Sequence, residues 1–256
     1  TLKESILEEN SNGYLIENFE SIKIIANSKE KITPEYNTSE NNNMNYLKNA
    51  KPHNPIHLWE EDDQFQKIIH TIPSSLVDIQ RCFILYQSAL QACNIFGDIA
   101  EVGVYKGGTA KLIAKTVEPK LKTLHLFDTF NGMPETDKEK DLHGKGDFND
   151  TSLEQVQYSL KDSSNVKFYA GFFPATSKPV DHLKFSMVHI DVDIYRSVYD
   201  CCEYFYPRME KGGIMIFDDY GFVSCPGAKQ AVDEYFSKKS EEKIYLPTGQ
   251  CMVVKL

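Results

Sequence analysis

The sequence predicts an α/β fold: a mostly parallel sheet with helices on both faces, a C-terminal antiparallel hairpin strand and an N-terminal extension. Three observations carry this expectation. From Asp98 onward, short apolar runs of strand type alternate with stretches of helical periodicity, the pattern of a parallel sheet covered on both faces. Near the end, residues 243–246 and 251–254 flank Pro247-Thr248-Gly249-Gln250, a hairpin signal. Residues 1–70 share neither pattern.

In chain order, the first fifty residues hold ten asparagines, including Asn41-Asn42-Asn43, and few large apolar clusters. Leu15, Ile16, Phe19, Ile22 and Ile25 have rough helical spacing, and residues 33–54 read as loop or linker. Residues 1–70 are therefore expected to be an extension, partly helical, that acts as a lid or assembly segment. Disorder is the alternative. Residues 71–256 are expected to form one domain. Pro73-Ser74-Ser75 opens an amphipathic helix in which Ile79, Phe83, Tyr86, Leu90 and Cys93 recur at three- and four-residue steps, and Gly97 ends it. Strands are expected at 99–104, 123–127, 166–170, 185–190 and 214–217. Helices are expected from Gly107-Gly108 through Lys115, and at 151–160, 195–209 and 227–237. Lys211-Gly212-Gly213 would close the third of these.

A chain of 256 residues can hold one large α/β domain plus an appendage. Its net charge of −9 argues against nucleic-acid binding, which needs a basic face. Six cysteines are present, none in a CxxC pair, so zinc-ribbon and thioredoxin-like readings fail. Most lie in apolar stretches, which suggests core positions and a reducing, cytoplasmic compartment. No apolar run approaches the roughly 18 residues that span a membrane, so no membrane partner is expected.

The chemistry sits at the ends of the strands. The first ends in Glu101-Val102-Gly103-Val104-Tyr105-Lys106-Gly107-Gly108-Thr109, a glycine turn into a helix. Such a turn lets a ligand approach the backbone, and the helix N-terminus offers free N–H groups to a negative group. It is neither GxGxxG nor a P-loop. The second ends in Asp128-Thr129-Phe130, an acid placed to hold ribose hydroxyls. The fourth and fifth strands are followed by Asp191 and Asp193, and by Asp218-Asp219. Neighbouring strands ending in acids gather carboxylates that repel one another unless a cation sits among them, and oxygen ligands suit Mg²⁺ or Ca²⁺. Together these features suit a nucleoside ligand with a metal beside it.

These residues resemble a known family. The runs 97–108, 127–134, 190–195 and 218–221 are similar to those of the macrocin O-methyltransferase (TylF-like) family, over about residues 70–256. The resemblance implies a class I, Rossmann-like fold and dependence on S-adenosylmethionine (SAM) and Mg²⁺. It also implies methylation of a hydroxyl on a sugar or polyketide-type natural product. By the same resemblance, Glu101, Gly103, Tyr105, Gly107 and Thr109 would hold the methionine part of SAM. Asp128 would hold the ribose with Thr129 and Phe130 beside it, and Gly171 and Phe172 would flank the adenine. Asp191, Asp218 and Asp219 would bind Mg²⁺, with Asp191 also touching the cofactor.

An aliphatic alcohol is hard to ionise. A cation that eases loss of its proton, and a side chain that collects the proton, both fit the chemistry. Asp191 and His143, the latter in the long polar loop 131–150, are the candidates for that proton. Asp193 is expected to point away from Asp191 if the strand continues. His189 reads as a core or sheet residue. Tyr195, Tyr220 and Phe222 are candidate acceptor-pocket residues. The expected partner is a small-molecule hydroxyl, with self-association open. Two rivals stand: a catechol-type O-methyltransferase acting on phenols, and a non-catalytic SAM-fold binding module.

Overall fold

The computed structural model describes Leu7–Glu9, Leu15–Glu17, residues 57–73 and residues 75–256. Two compact units separate between Pro55 and Ile56. In the first, β1 (Leu7–Glu9) and β2 (Leu15–Glu17) pair antiparallel, with Glu8 opposite Ile16. Leu15 and Ile16 are thus in a strand, where their spacing had suggested a helix. Phe19, Ile22, Ile25 and the linker 33–54 lie outside the described residues.

The second unit begins earlier than the sequence suggested. Helices α1 (Leu58–Glu61) and α2 (Asp63–Ile69) belong to it, and Phe65 is fully buried in its core. The amphipathic helix α3 (Ile79–Ala92) starts at Asp78 rather than at Pro73. The Asp78 carboxylate accepts hydrogen bonds from the N–H groups of Gln80 and Arg81 and so caps the first turn.

There follow β3 (Asp98–Val102), α4 (Gly108–Val117), β4 (Leu124–Asp128), α5 (Leu153–Ser159) and β5 (Val166–Ala170). Then come β6 (Phe185–Ile190), α6 (Tyr195–Phe205), β7 (Met209–Phe217) and α7 (Pro226–Phe236). The hairpin strands β8 (Lys243–Tyr245) and β9 (Cys251–Val254) complete the order. They build one seven-stranded sheet in the order β5-β4-β3-β6-β7-β9-β8. The first five are parallel, and β9 runs antiparallel to β7 and β8.

Alternate residues of each strand feed opposite faces. Ile99, Leu126, Met187 and Ile216 join α2, α3, α4 and α5 in one core. Ala100, Phe127, Val188 and Phe217 join α6 and α7 in the other. Each large side chain so buried contributes roughly 1.5–3 kcal/mol. Five of the six cysteines are buried and all six are free thiols. Among the described residues, no helix is long and apolar enough to cross a membrane.

One boundary differs. Helix α6 stops at Phe205, and Lys211-Gly212-Gly213 lie inside β7. Gly212 N–H donates to the Lys255 carbonyl at 2.7 Å, and Lys255 N–H donates to the Gly213 carbonyl at 2.8 Å. The residue after β9 thus recruits the glycines into the sheet, a partner that no local pattern could announce.

Candidate active site

The sheet is extended in one direction by β4 and β5 and in the other by β6 and β7, so the switch point lies between β3 and β6. Ligands bind at the carboxyl ends of strands at such a point. Here those ends enclose a cavity of about 340 Å³.

Strand β3 stops at Val102 because the chain turns sharply. Gly103 has φ +86°, and a Cβ there would lie 1.7 Å from the Asp191 carbonyl oxygen. Only glycine permits that approach. Gly107, at φ +81°, leads into α4. The turn is tied to β4 by Asp128. One carboxylate oxygen accepts from Val104 N–H at 2.6 Å and Tyr105 N–H at 2.9 Å. The other accepts from Phe130 N–H at 2.7 Å. A carboxylate has about four acceptor sites, so three backbone donors leave roughly one for a ligand.

Gly103, Tyr105, Thr109, Asp128, Thr129, Gly171 and Phe172 line the cavity. Three residues grouped with them do not. Gly107 backs onto Val156, Phe130 is buried in the core, and Glu101 is fully buried within the sheet. Glu101 accepts from His189 Nδ1 at 2.9 Å, directly across the β3–β6 pairing. Its other oxygen has no hydrogen-bond partner among the described residues.

Asp191, Asp218 and Asp219 each offer an oxygen within 4.8 Å of the others. Asp191 and Asp219 line the cavity. Burial holds both carboxyls well above the usual range, reinforced by Asp218 at Asp191 and by Asp193 at Asp219. Asp218 is fully buried and differs. Burial would raise it, but contacts from His189, Arg81 and Gln250 outweigh that and hold it below the usual range. Gln250 Nε2 donates to it at 2.8 Å, and Arg81 Nη1 donates to its other oxygen. His189 Nε2 lies 3.5 Å away. Burial opposes the charge on His189, yet Asp218 and Glu101 hold its pKa well above the usual histidine value. The donor set left for a ligand is oxygen only, which fits a hard divalent cation.

Asp193 departs from the period-two expectation. Strand β6 has already ended at Ile190, and Asp193 adopts φ +59°, so its carboxylate also reaches the cavity wall. His143, from the loop between β4 and α5, lies there too, with Nε2 3.8 Å from Asp193 Oδ1. Its Nδ1 faces Asp147 Oδ2 at 3.2 Å. Burial raises the Asp193 carboxyl, and His143 works against that rise. Gly132, Met133, Pro134 and Phe148 of the same loop complete this wall. Phe222 lines the cavity, whereas the hydroxyls of Tyr195 and Tyr220 are bound to Glu234 and Asp233.

Sequence reasoning missed Arg81 and the segment before it, where Ser75, Leu76 and Val77 line the cavity. Arg81 reaches the cluster from α3, bridging Asp78 and Asp218 and lying over the Phe222 ring. Nothing in the local pattern of one sequence marks it. The Glu101–His189 pair had a readable signal: a charged and a titratable residue inside two apolar strands.

The family model described as macrocin-O-methyltransferase (TylF) matches residues 72–250. The chain is 33% identical over 162 residues to the demethyldecarbamoylnovobiocin O-methyltransferase of Streptomyces niveus, covering 57% of this chain and 60% of that protein. It thus spans less than two thirds of that relative's length. It is 31% identical over 195 residues to the mycinamicin III 3''-O-methyltransferase of Micromonospora griseorubida, covering 69% of this chain and 74% of that protein. Among solved structures, the O-methyltransferase NovP superposes with a TM-score of 0.62 at 26% identity, over 71% of this chain and 81% of that one. The calicheamicin methyltransferase CalS11 shares the fold, with a TM-score of 0.59 at 17% identity over 79% of this chain and 94% of that one.

Proposed function

This chain belongs to the macrocin O-methyltransferase family, and we propose that it transfers the methyl group of SAM to a hydroxyl oxygen of a small natural product, with Mg²⁺ at its acidic cluster. The observation that carries this is the meeting, in one cavity, of the glycine turn, Asp128 and the Asp191–Asp219 wall. The acceptor is a sugar or polyketide-type hydroxyl, a reading supported by relatives named as O-methyltransferases of demethyldecarbamoylnovobiocin and mycinamicin III.

The residues present suit both groups. At the N-terminus of α4, Gly108 and Thr109 present N–H groups to a carboxylate, and Asp128 keeps about one acceptor site for a ribose hydroxyl. Asp191, Asp219 and one oxygen of Asp218 would hold the cation. Bound SAM supplies the methyl group, and the cation supplies positive charge that eases loss of the acceptor's proton.

The protein's own groups do the rest. Asp147 takes the Nδ1–H of His143, so the Nε2 lone pair faces the cavity and can accept the hydroxyl proton. Asp193, 3.8 Å away, balances the imidazolium that results. Phe127, Phe148, Phe173 and Phe222 line the walls and limit water. Asp191 then serves the cation, and His143 is the base.

The test is transfer of labelled methyl from SAM to a panel of glycosylated, aliphatic and catechol acceptors, before and after chelation. Turnover should vanish with EDTA and return with Mg²⁺, while SAM binding in calorimetry weakens only slightly. Full activity after exhaustive chelation would remove the metal from the mechanism. Absence of SAM binding would overturn the whole reading, and activity on catechols alone would reassign the acceptor.

A further inference from the structure

A second cluster on the cavity wall has a different chemistry from the three aspartates. Cys225 Sγ lies 3.4 Å from Asp193 Oδ1, and His143 Nε2 lies 3.8 Å from the same oxygen. One ligand atom from each of the three residues lies within 4.8 Å of the other two. All three line the cavity. Nitrogen, oxygen and sulfur in one group are a poor match to Mg²⁺ and a good one to a thiophilic divalent ion. Bond lengths of about 2.3 Å to sulfur and 2.0–2.2 Å to nitrogen and oxygen put tetrahedral ligands about 3.4–3.6 Å apart, close to two of the separations seen.

The surroundings add a second observation. His143 is held from behind by Asp147, whose carboxylate also accepts from Gly144 N–H at 3.0 Å. Metal-ligating histidines usually have the far nitrogen bound in this way, which fixes the ring and directs the other nitrogen forward. Cys225 is buried just before α7, beside Ser224 and Asp193.

We propose that His143, Asp193 and Cys225 form a Zn²⁺ site distinct from the three-aspartate cluster, and that Zn²⁺ bound there blocks methyl transfer. The ion takes His143 Nε2, Asp193 Oδ1 and Cys225 Sγ, with its fourth position open to the cavity. Bonds form from the metal to each ligand, and the thiol proton leaves to solvent. No electron changes hands. Blocking follows because the ion occupies the His143 lone pair. That consequence rests on the base role given to His143 above, whereas binding does not.

The experiment uses the whole protein in saturating Mg²⁺, titrated with Co²⁺ as a coloured substitute and then with Zn²⁺. An intense near-ultraviolet sulfur-to-cobalt band should appear, saturate at one ion per chain and disappear as Zn²⁺ displaces Co²⁺. Cys225→Ser should abolish the band, and Asp147→Asn should weaken Co²⁺ binding about 10- to 100-fold. Circular dichroism checks that each variant is folded. A wild-type titration without the near-ultraviolet band, or a band that survives Cys225→Ser, would overturn the site. In parallel, Zn²⁺ should inhibit wild-type turnover at concentrations at least tenfold below those that inhibit Cys225→Ser. A cobalt band with turnover untouched by Zn²⁺ would overturn the blocking and point to a base other than His143.

Discussion

Asp128 both shapes the cavity and lines it. Three backbone N–H groups on two sides of the turn end on its carboxylate, so removing it should affect folding and binding together. Asp128→Ala is expected to weaken SAM binding by about 1–3 kcal/mol and to lower stability by a similar amount, because Val104, Tyr105 and Phe130 lose their acceptor. Calorimetry and urea unfolding measure the two effects separately. Unchanged SAM affinity in a folded variant would remove Asp128 from the site. At this scale the sequence showed the residues at strand ends, where position in a parallel sheet implies exposure to a ligand. It grouped Glu101 with the cavity residues, whereas Glu101 is fully buried two residues short of the turn. There the direction of the side chain depends on the pairing with His189 in β6, which is distant in sequence. It missed Arg81, whose role depends on where α3 docks.

The hairpin and α7 are held by two carboxylates with basic partners. Asp233 accepts from Lys229 and Lys243 at 2.5 Å each and from Tyr220 at 2.9 Å. Glu241 accepts from Tyr206 at 2.7 Å and from Lys255 at 2.7 Å. Burial alone would raise both, but these bonds outweigh it and hold each at about 2. A carboxyl lowered on folding contributes stability above its ordinary value, here 3.8 and 4.5, and loses it as pH falls toward about 2. The urea midpoint of the wild type should therefore exceed that of Glu241→Gln at neutral pH. The two should converge as the solution is acidified through that window. A gap that stays constant with pH would mean that the glutamate acts by packing alone. The hairpin itself was readable because turn residues and strand residues are local signals. The start of α3 and the end of α6 were not. One depends on the Asp78 cap competing with an earlier serine, the other on Lys255 pairing with Gly212 and Gly213.

Over the whole molecule, a net charge of −9 favours accumulation of cations near the chain. Mg²⁺ affinity should therefore fall several-fold as ionic strength rises, since screening beyond about 8–10 Å removes the long-range part. The contacts within the cluster are short and should persist. Mg²⁺ titrations at low and high KCl measure this, and salt-independent binding would assign all of the affinity to the three aspartates. The parallel sheet was legible because alternation of strand and helix leaves few topologies, and the switch point then follows. The cavity's far wall, from Ser75 to Arg81, was not, because it comes from packing rather than from strand ends. The position of β9 bears on when the site comes into being. Synthesis proceeds from the amino terminus, so β7 is made before the strand that flanks it. Until residues 251–254 arrive, the apolar run Ile214–Phe217 has an open edge that other strands could join. Asp218 meanwhile lacks the Gln250 amide that orders it. The glycine turn is therefore made before the acidic cluster beside it, and that cluster is among the last parts of the unit to be finished.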